Sequence, residues 1–100
     1  MATGNILIVD DNKNIISALE ILLLPEFNQV KGISNPNLIP AELKNNAYNL
    51  VILDMNFQAG INSGNEGLFW LSNIKESYPD ISVVVITAYS DVELAVKALK

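Results

Sequence analysis

No cysteine and no histidine occur among the 100 residues. The first absence excludes a disulfide framework and any thiolate metal site. The second removes imidazole ligands, histidine general bases and any phosphohistidine carried by this chain. Basic residues are also few: Lys and Arg number 6 against 11 Asp and Glu, for a formal charge of -5 and a pI of about 4.4. Gripping a phosphodiester backbone takes clustered Lys and Arg, so no direct nucleic-acid contact is expected of this segment. No apolar run approaches the length that spans a bilayer. The amino terminus, MATGNILIVDD, lacks a basic n-region and its apolar run stops at Asp10, so it does not read as a secretory signal. The expectation is a cytoplasmic chain without membrane contact. Internal repeats, low-complexity tracts and linker-like shifts in composition are absent as well.

What is present suits one compact domain over residues 1–100. Half of the residues are hydrophobic, and the length is near the commonest domain size. Apolar runs stand out at Ile6–Val9, Leu50–Leu53 and Ile81–Ile86, each short and rich in branched residues. None alternates cleanly with polar residues, which predicts parallel strands covered by helices on both faces. A weaker strand is predicted at Gln29–Ile33. Helices are predicted between them. Asn14–Leu24 carries Ile15, Leu19 and Leu22 on one face and is stopped by Pro25. Pro40–Asn46 is short, with proline in its first turn. Glu66–Ser77 carries Leu68, Leu71 and Ile74, with Phe69 and Trp70 expected to pack. The capping box Ser90-Asp91-Val92-Glu93 predicts a last helix running to Lys100. Alternating strands and helices define an α/β fold with a parallel sheet and right-handed crossovers.

In such open sheets, ligands sit outside the carboxyl ends of the strands, near the point where strand order reverses. That is where the acidic residues fall. Asp10 and Asp11 follow the first apolar run, Asp54 the third strand, and Thr87 the fourth. If the first and third strands are neighbours, three carboxylates converge and repel one another, and a hard divalent cation relieves the repulsion. Each residue also has a bland reading. Asp11 alone reads best as a helix N-cap, and Thr87 as a loop hydroxyl. The joint pattern, one group after each of three buried strands, favours a Mg²⁺-dependent phosphoryl site.

ILIVDD, VILDMN and VVVITAYS, in this order, resemble the first, third and fourth strand motifs of response-regulator receiver domains, and the resemblance runs along the whole chain. It implies a flavodoxin-like (CheY-like) doubly wound sheet and a two-component signalling role. By it, Asp54 is the phosphoacceptor. Asp11 and Asp54 would be direct Mg²⁺ ligands with the Asn56 backbone carbonyl, and Asp10 would act through water. Thr87 would be the switch hydroxyl and Ala88 the small residue that leaves it room. The phosphodonor would be a sensor histidine kinase, and the output a separate domain absent from this chain, concerned with transcription. Beyond self-phosphorylation and dephosphorylation, no enzyme activity is implied.

Two departures accompany the resemblance. Receivers carry a lysine and a switch aromatic on a fifth strand, whereas this chain ends at Lys100, inside the fourth helix. The sheet is therefore expected in the order 2-1-3-4, with the fifth strand and last helix missing. Self-association through the resulting edge, giving a homodimer, or displacement of the last helix over the gap, is expected. The loop FQAGINSGNEG lacks the usual Met-Pro pair, with Phe57 and Gln58 in its place. It resembles receivers attached to nitrogen-regulation-type transcription activators. Gly60, Gly64 and Gly67 are not followed by Gly-Lys-Ser/Thr, so no P-loop is present. Two other readings remain open. An Asp-x-Asp phosphatase would need an aspartate where Asn56 stands, and a receiver-like interaction module would take no phosphate.

Overall fold

The computed structural model describes residues 4–54 and 65–86, the side chains of residues 65–68 apart. The elements run β1 (Asn5–Val9), α1 (Lys13–Leu23), β2 (Gln29–Ile33), α2 (Ile39–Asn45), β3 (Leu50–Asp54), α3 (Asn65–Ser77) and β4 (Ser82–Ile86). Single 3₁₀ turns at Leu24–Glu26 and Pro36–Leu38 follow α1 and precede α2, each opened by its proline. The helix predicted from Ser90 lies outside the described residues.

The sheet has four strands in the order β2-β1-β3-β4, all parallel. Reversal of strand order beside β1 makes this a doubly wound sheet, with its crevice between the ends of β1 and β3. The unbroken apolar character of β1 and β3 has a direct cause. Leu7, Val9, Val51 and Leu53 point to one face, where α2 and α3 bring Ile39, Leu43, Trp70 and Ile74. Ile6, Ile8, Leu50 and Ile52 point to the other, where α1 brings Ile16, Leu19 and Leu23. With both faces covered, neither set of side chains can be polar.

α1 differs from the sequence expectation in rotation. Its buried stripe is Ile16, Leu19 and Leu23, while Leu22 is 41% exposed and Ile15 only half-buried. Both readings satisfy a helical period, and the choice between them depends on how the helix rolls onto the strands. That roll is set by Gly32 of β2, since a Cβ there would lie 2.1 Å from Ile16 Cγ2. A second deviation is in α3. Trp70 packs into the core as expected, but Phe69 is 59% exposed and meets the Trp70 ring edge-on, with centroids 4.9 Å apart.

Other fixtures hold the amino-terminal end of the sheet. Gly4 has φ +128°, a conformation that L side chains rarely adopt. Asn49 Oδ1 accepts from the Asn5 amide at 2.9 Å, and Asn5 Nδ2 donates to the Ala47 carbonyl at 2.7 Å. At the β2 side, the Glu42 carboxylate of α2 accepts from Lys31 Nζ at 2.8 Å and from the Tyr48 hydroxyl at 2.9 Å. The Lys31 bond foremost holds the Glu42 carboxyl below its ordinary range. Burial, reinforced by Glu42, pushes the Tyr48 hydroxyl up to about 12.

Candidate metal and phosphoryl site

Val9 lies opposite Leu53 in the β1–β3 register, so Asp10 and Asp54 are next in line at the carboxyl ends of adjacent strands. Asp54 is the last residue of β3 rather than the first of the loop, and pairs in register with Ile86 of β4. One carboxylate oxygen from each of Asp10, Asp11 and Asp54 lies within 4.8 Å of the others. The convergence expected from the sequence is therefore present. Asp10 and Asp54 are buried, whereas Asp11 is exposed and forms the open side. Asn56, Thr87 and Ala88, the other expected site residues, lie outside the described residues.

Asp10 is the most constrained of the three. Its amide donates to the Ile33 carbonyl of β2 at 3.1 Å, extending the strand pairing by one residue. Its Oδ1 accepts from the Asn12 amide at 2.8 Å. Its Oδ2 is buried with no hydrogen-bond partner among the described residues. Burial pushes the Asp10 carboxyl up to about 7, against the lowering effect of the Asn12 amide, and the charges of Asp54 and Asp11 add to the rise. An orphaned buried carboxylate oxygen is costly unless something electropositive meets it. With an all-oxygen donor set and one open side, the cluster of Asp10, Asp11 and Asp54 fits a hard divalent cation of the Mg²⁺ type.

The sequence reading overlooked Asn12. The N-cap of α1 is this residue and not Asp11: its Oδ1 accepts from the Asn14 amide at 2.9 Å and the Ile15 amide at 3.4 Å. The signal was present in the Asp10-Asp11-Asn12 run, since Asn two residues after an aspartate suits an Asx-turn leading into a helix cap. That leaves Asp11 out of the cap and in the acidic cluster.

A doubly wound parallel sheet of four strands with three carboxylates clustered at its switch point defines the class of open α/β sheets whose ligand crevice lies at the strand ends. The family follows from comparison with known proteins: residues 6–100 match the response regulator receiver domain model, and the chain belongs to that family of signalling domains. Among relatives, it is 30% identical over 98 residues to the DNA-binding transcriptional regulator NtrC of Proteus hauseri, covering 98% of this chain and 20% of that protein. It is 32% identical over 96 residues to the nitrogen assimilation regulatory protein NtrX of Azorhizobium caulinodans, covering 96% and 20%. The N-terminal signal receiver domain of a two-component response regulator from Bacteroides fragilis superposes with a TM-score of 0.76 at 43% identity, covering 98% of this chain and 77% of that one. The chain thus spans a fifth of the length of the curated relatives named. No described helix is long and apolar enough to cross a membrane.

Proposed function

We propose that this chain is the phosphoacceptor module of a cytoplasmic two-component system, taking a phosphoryl group from a partner histidine kinase onto Asp54. The observation that carries this reading is the cluster of Asp10, Asp11 and Asp54 with the Asp10 Oδ2 buried and unbonded among the described residues. When bound there, Mg²⁺ neutralises the clustered carboxylates and the charge on the transferring phosphoryl oxygens. Asp11 and Asp54 would hold it, with the Asn56 carbonyl, and Asp10 would assist through water. An Asp54 oxygen attacks the donor phosphorus in line. The O–P bond forms as the P–N bond of the donor phosphoimidazole breaks, and the leaving nitrogen keeps the electron pair and takes up a proton. The product is an acyl phosphate on Asp54. Thr87 then bonds the phosphoryl group, with Ala88 leaving it room. The segment that follows shifts and presents a changed face to an output domain that regulates transcription.

Treatment of the chain with acetyl phosphate and Mg²⁺, followed by peptide mapping in a mass spectrometer, tests this. One phosphoryl group on Asp54 is expected, absent in Asp54→Asn and absent when EDTA removes the metal. Thr87→Ala should keep incorporation and blunt the accompanying change in amide shifts. Undiminished labelling of Asp54→Asn would sink the assignment. Metal binding without any labelling would instead mark an interaction module that takes no phosphate.

A further inference from the structure

We propose that Asn12 is the positioning residue of the metal site: its side chain locks the start of α1 so that its backbone amide holds the Asp10 carboxylate in a cation-ready orientation. This rests on the metal reading above and deepens it.

Three groups of Asn12 are used at once. The amide donates to Asp10 Oδ1 at 2.8 Å. The side-chain oxygen caps α1 through the amides of Asn14 and Ile15. The carbonyl accepts from the amides of Ile15 at 3.1 Å and Ile16 at 3.3 Å, closing the first turn. Asp10 is meanwhile tied to β2 through Ile33. One residue therefore bridges the last pairing of the sheet and the first turn of the helix. The Asp10 carboxylate cannot turn without breaking its bond to Asn12, and its second oxygen is left buried and unbonded among the described residues. Two features make asparagine suited to this place. It is a strong N-cap, and it is neutral, so it orders the loop without adding another negative charge to three carboxylates already within 4.8 Å. Asn12 also sits in extended backbone, φ -95° and ψ 107°, a conformation that the two side-chain bonds stabilise. Without them the amide is free to swing away from Asp10. An outer partner of this kind acts on affinity by orienting the ligand rather than by touching the ion.

Mg²⁺ affinity of the 100-residue chain, read by titration calorimetry, is the test. Asn12→Ala should bind Mg²⁺ roughly tenfold more weakly, the low end for outer partners of metal ligands. Asn12→Ser keeps an N-cap oxygen and should bind as the parent does. Asn12→Gly is well tolerated at an N-cap, so it should stay folded yet bind as weakly as Asn12→Ala. Asn49→Ala is the control, because it removes the bond to the Asn5 amide at the other end of the strands. Parent-like affinity in both Asn12→Ala and Asn12→Gly would overturn the proposal, as would an equal loss in Asn49→Ala. A parent that binds no Mg²⁺ would overturn the metal reading itself and the proposal with it.

Discussion

At the residue scale, Asp10 makes stability depend on pH in an unusual direction. Its carboxyl is raised from 3.8 to about 7 by burial first, then by the charges of Asp54 and Asp11. In the unfolded chain it loses its proton near the ordinary value, whereas the folded chain keeps it to near neutrality. Unfolding therefore releases a proton within this window, and stability falls as pH rises through it, then levels off. The contribution at full ionisation is a destabilisation on the order of 4 kcal/mol. Metal-free Asp10→Asn should melt higher than the parent at about pH 8 and lose much of the advantage at about pH 5. Melting curves in EDTA at both pH values check this, and an Asp10→Asn that melts below the parent at the higher pH would refute it. The same variant should bind Mg²⁺ less well. On the proposed metal reading, the site trades metal-free stability for a carboxylate that a cation can use.

At the scale of elements, α1 sits closely on β2 at Gly32. A Cβ at Gly32 would meet Ile16 Cγ2 at 2.1 Å, and the Ile16 Cβ stands 3.3 Å away. The near atom belongs to a branched side chain with little room to yield, so Gly32→Ala should destabilise by roughly 1–3 kcal/mol, more than the restricted unfolded chain returns. Adding Ile16→Ala removes the obstacle, and a double-mutant cycle in urea should show strong coupling; additive effects would contradict the contact. The roll of α1 gives a second test. Leu19 is fully buried and Leu22 is 41% exposed. Leu19→Ala should cost about 2–5 kcal/mol, and Leu22→Ala well under half of that. Equal losses would restore the stripe read from the sequence. Because α1 leads directly from Asn12, a helix displaced from Gly32 would also disturb the Asp10 loop.

Over the whole molecule, the two edges of the described sheet differ. β2 carries Lys31, paired with Glu42, and such a charge discourages further strand pairing. β4, from Ser82 to Ile86, has no charged residue; Val83 and Val84 are half-buried and Val85 is 41% exposed. It therefore departs from the picture of a strand covered on both faces, while β3 beside it is buried throughout. An uncharged branched edge is a template for another strand. The 100-residue chain should associate as concentration rises, and Val85→Lys should suppress this without lowering the melting temperature appreciably. Light scattering against concentration is the measurement, and a chain monodisperse at every concentration would exclude the edge as a contact. The alternative expectation, a displaced last helix, concerns residues outside those described.

By itself, the sequence determined the elements and their order. Branched apolar runs placed β1, β3 and β4, a weaker signal placed β2, and prolines at 25 and 40 placed the end of α1 and the start of α2, because these signals are local backbone chemistry. It also placed Asp10, Asp11 and Asp54 at strand ends, and by resemblance in the receiver family to which the chain belongs. Only the tertiary structure decided what needs two elements at once. The pairing of β1 with β3 turned separate aspartates into one cluster. The roll of α1 over Gly32 put Ile16 and Leu23 inside and Leu22 outside. Burial at the sheet's crevice raised one carboxyl and left its neighbour Asp11 exposed. Burial and proximity depend on how elements pack across the chain, and no local pattern of residues encodes that distance.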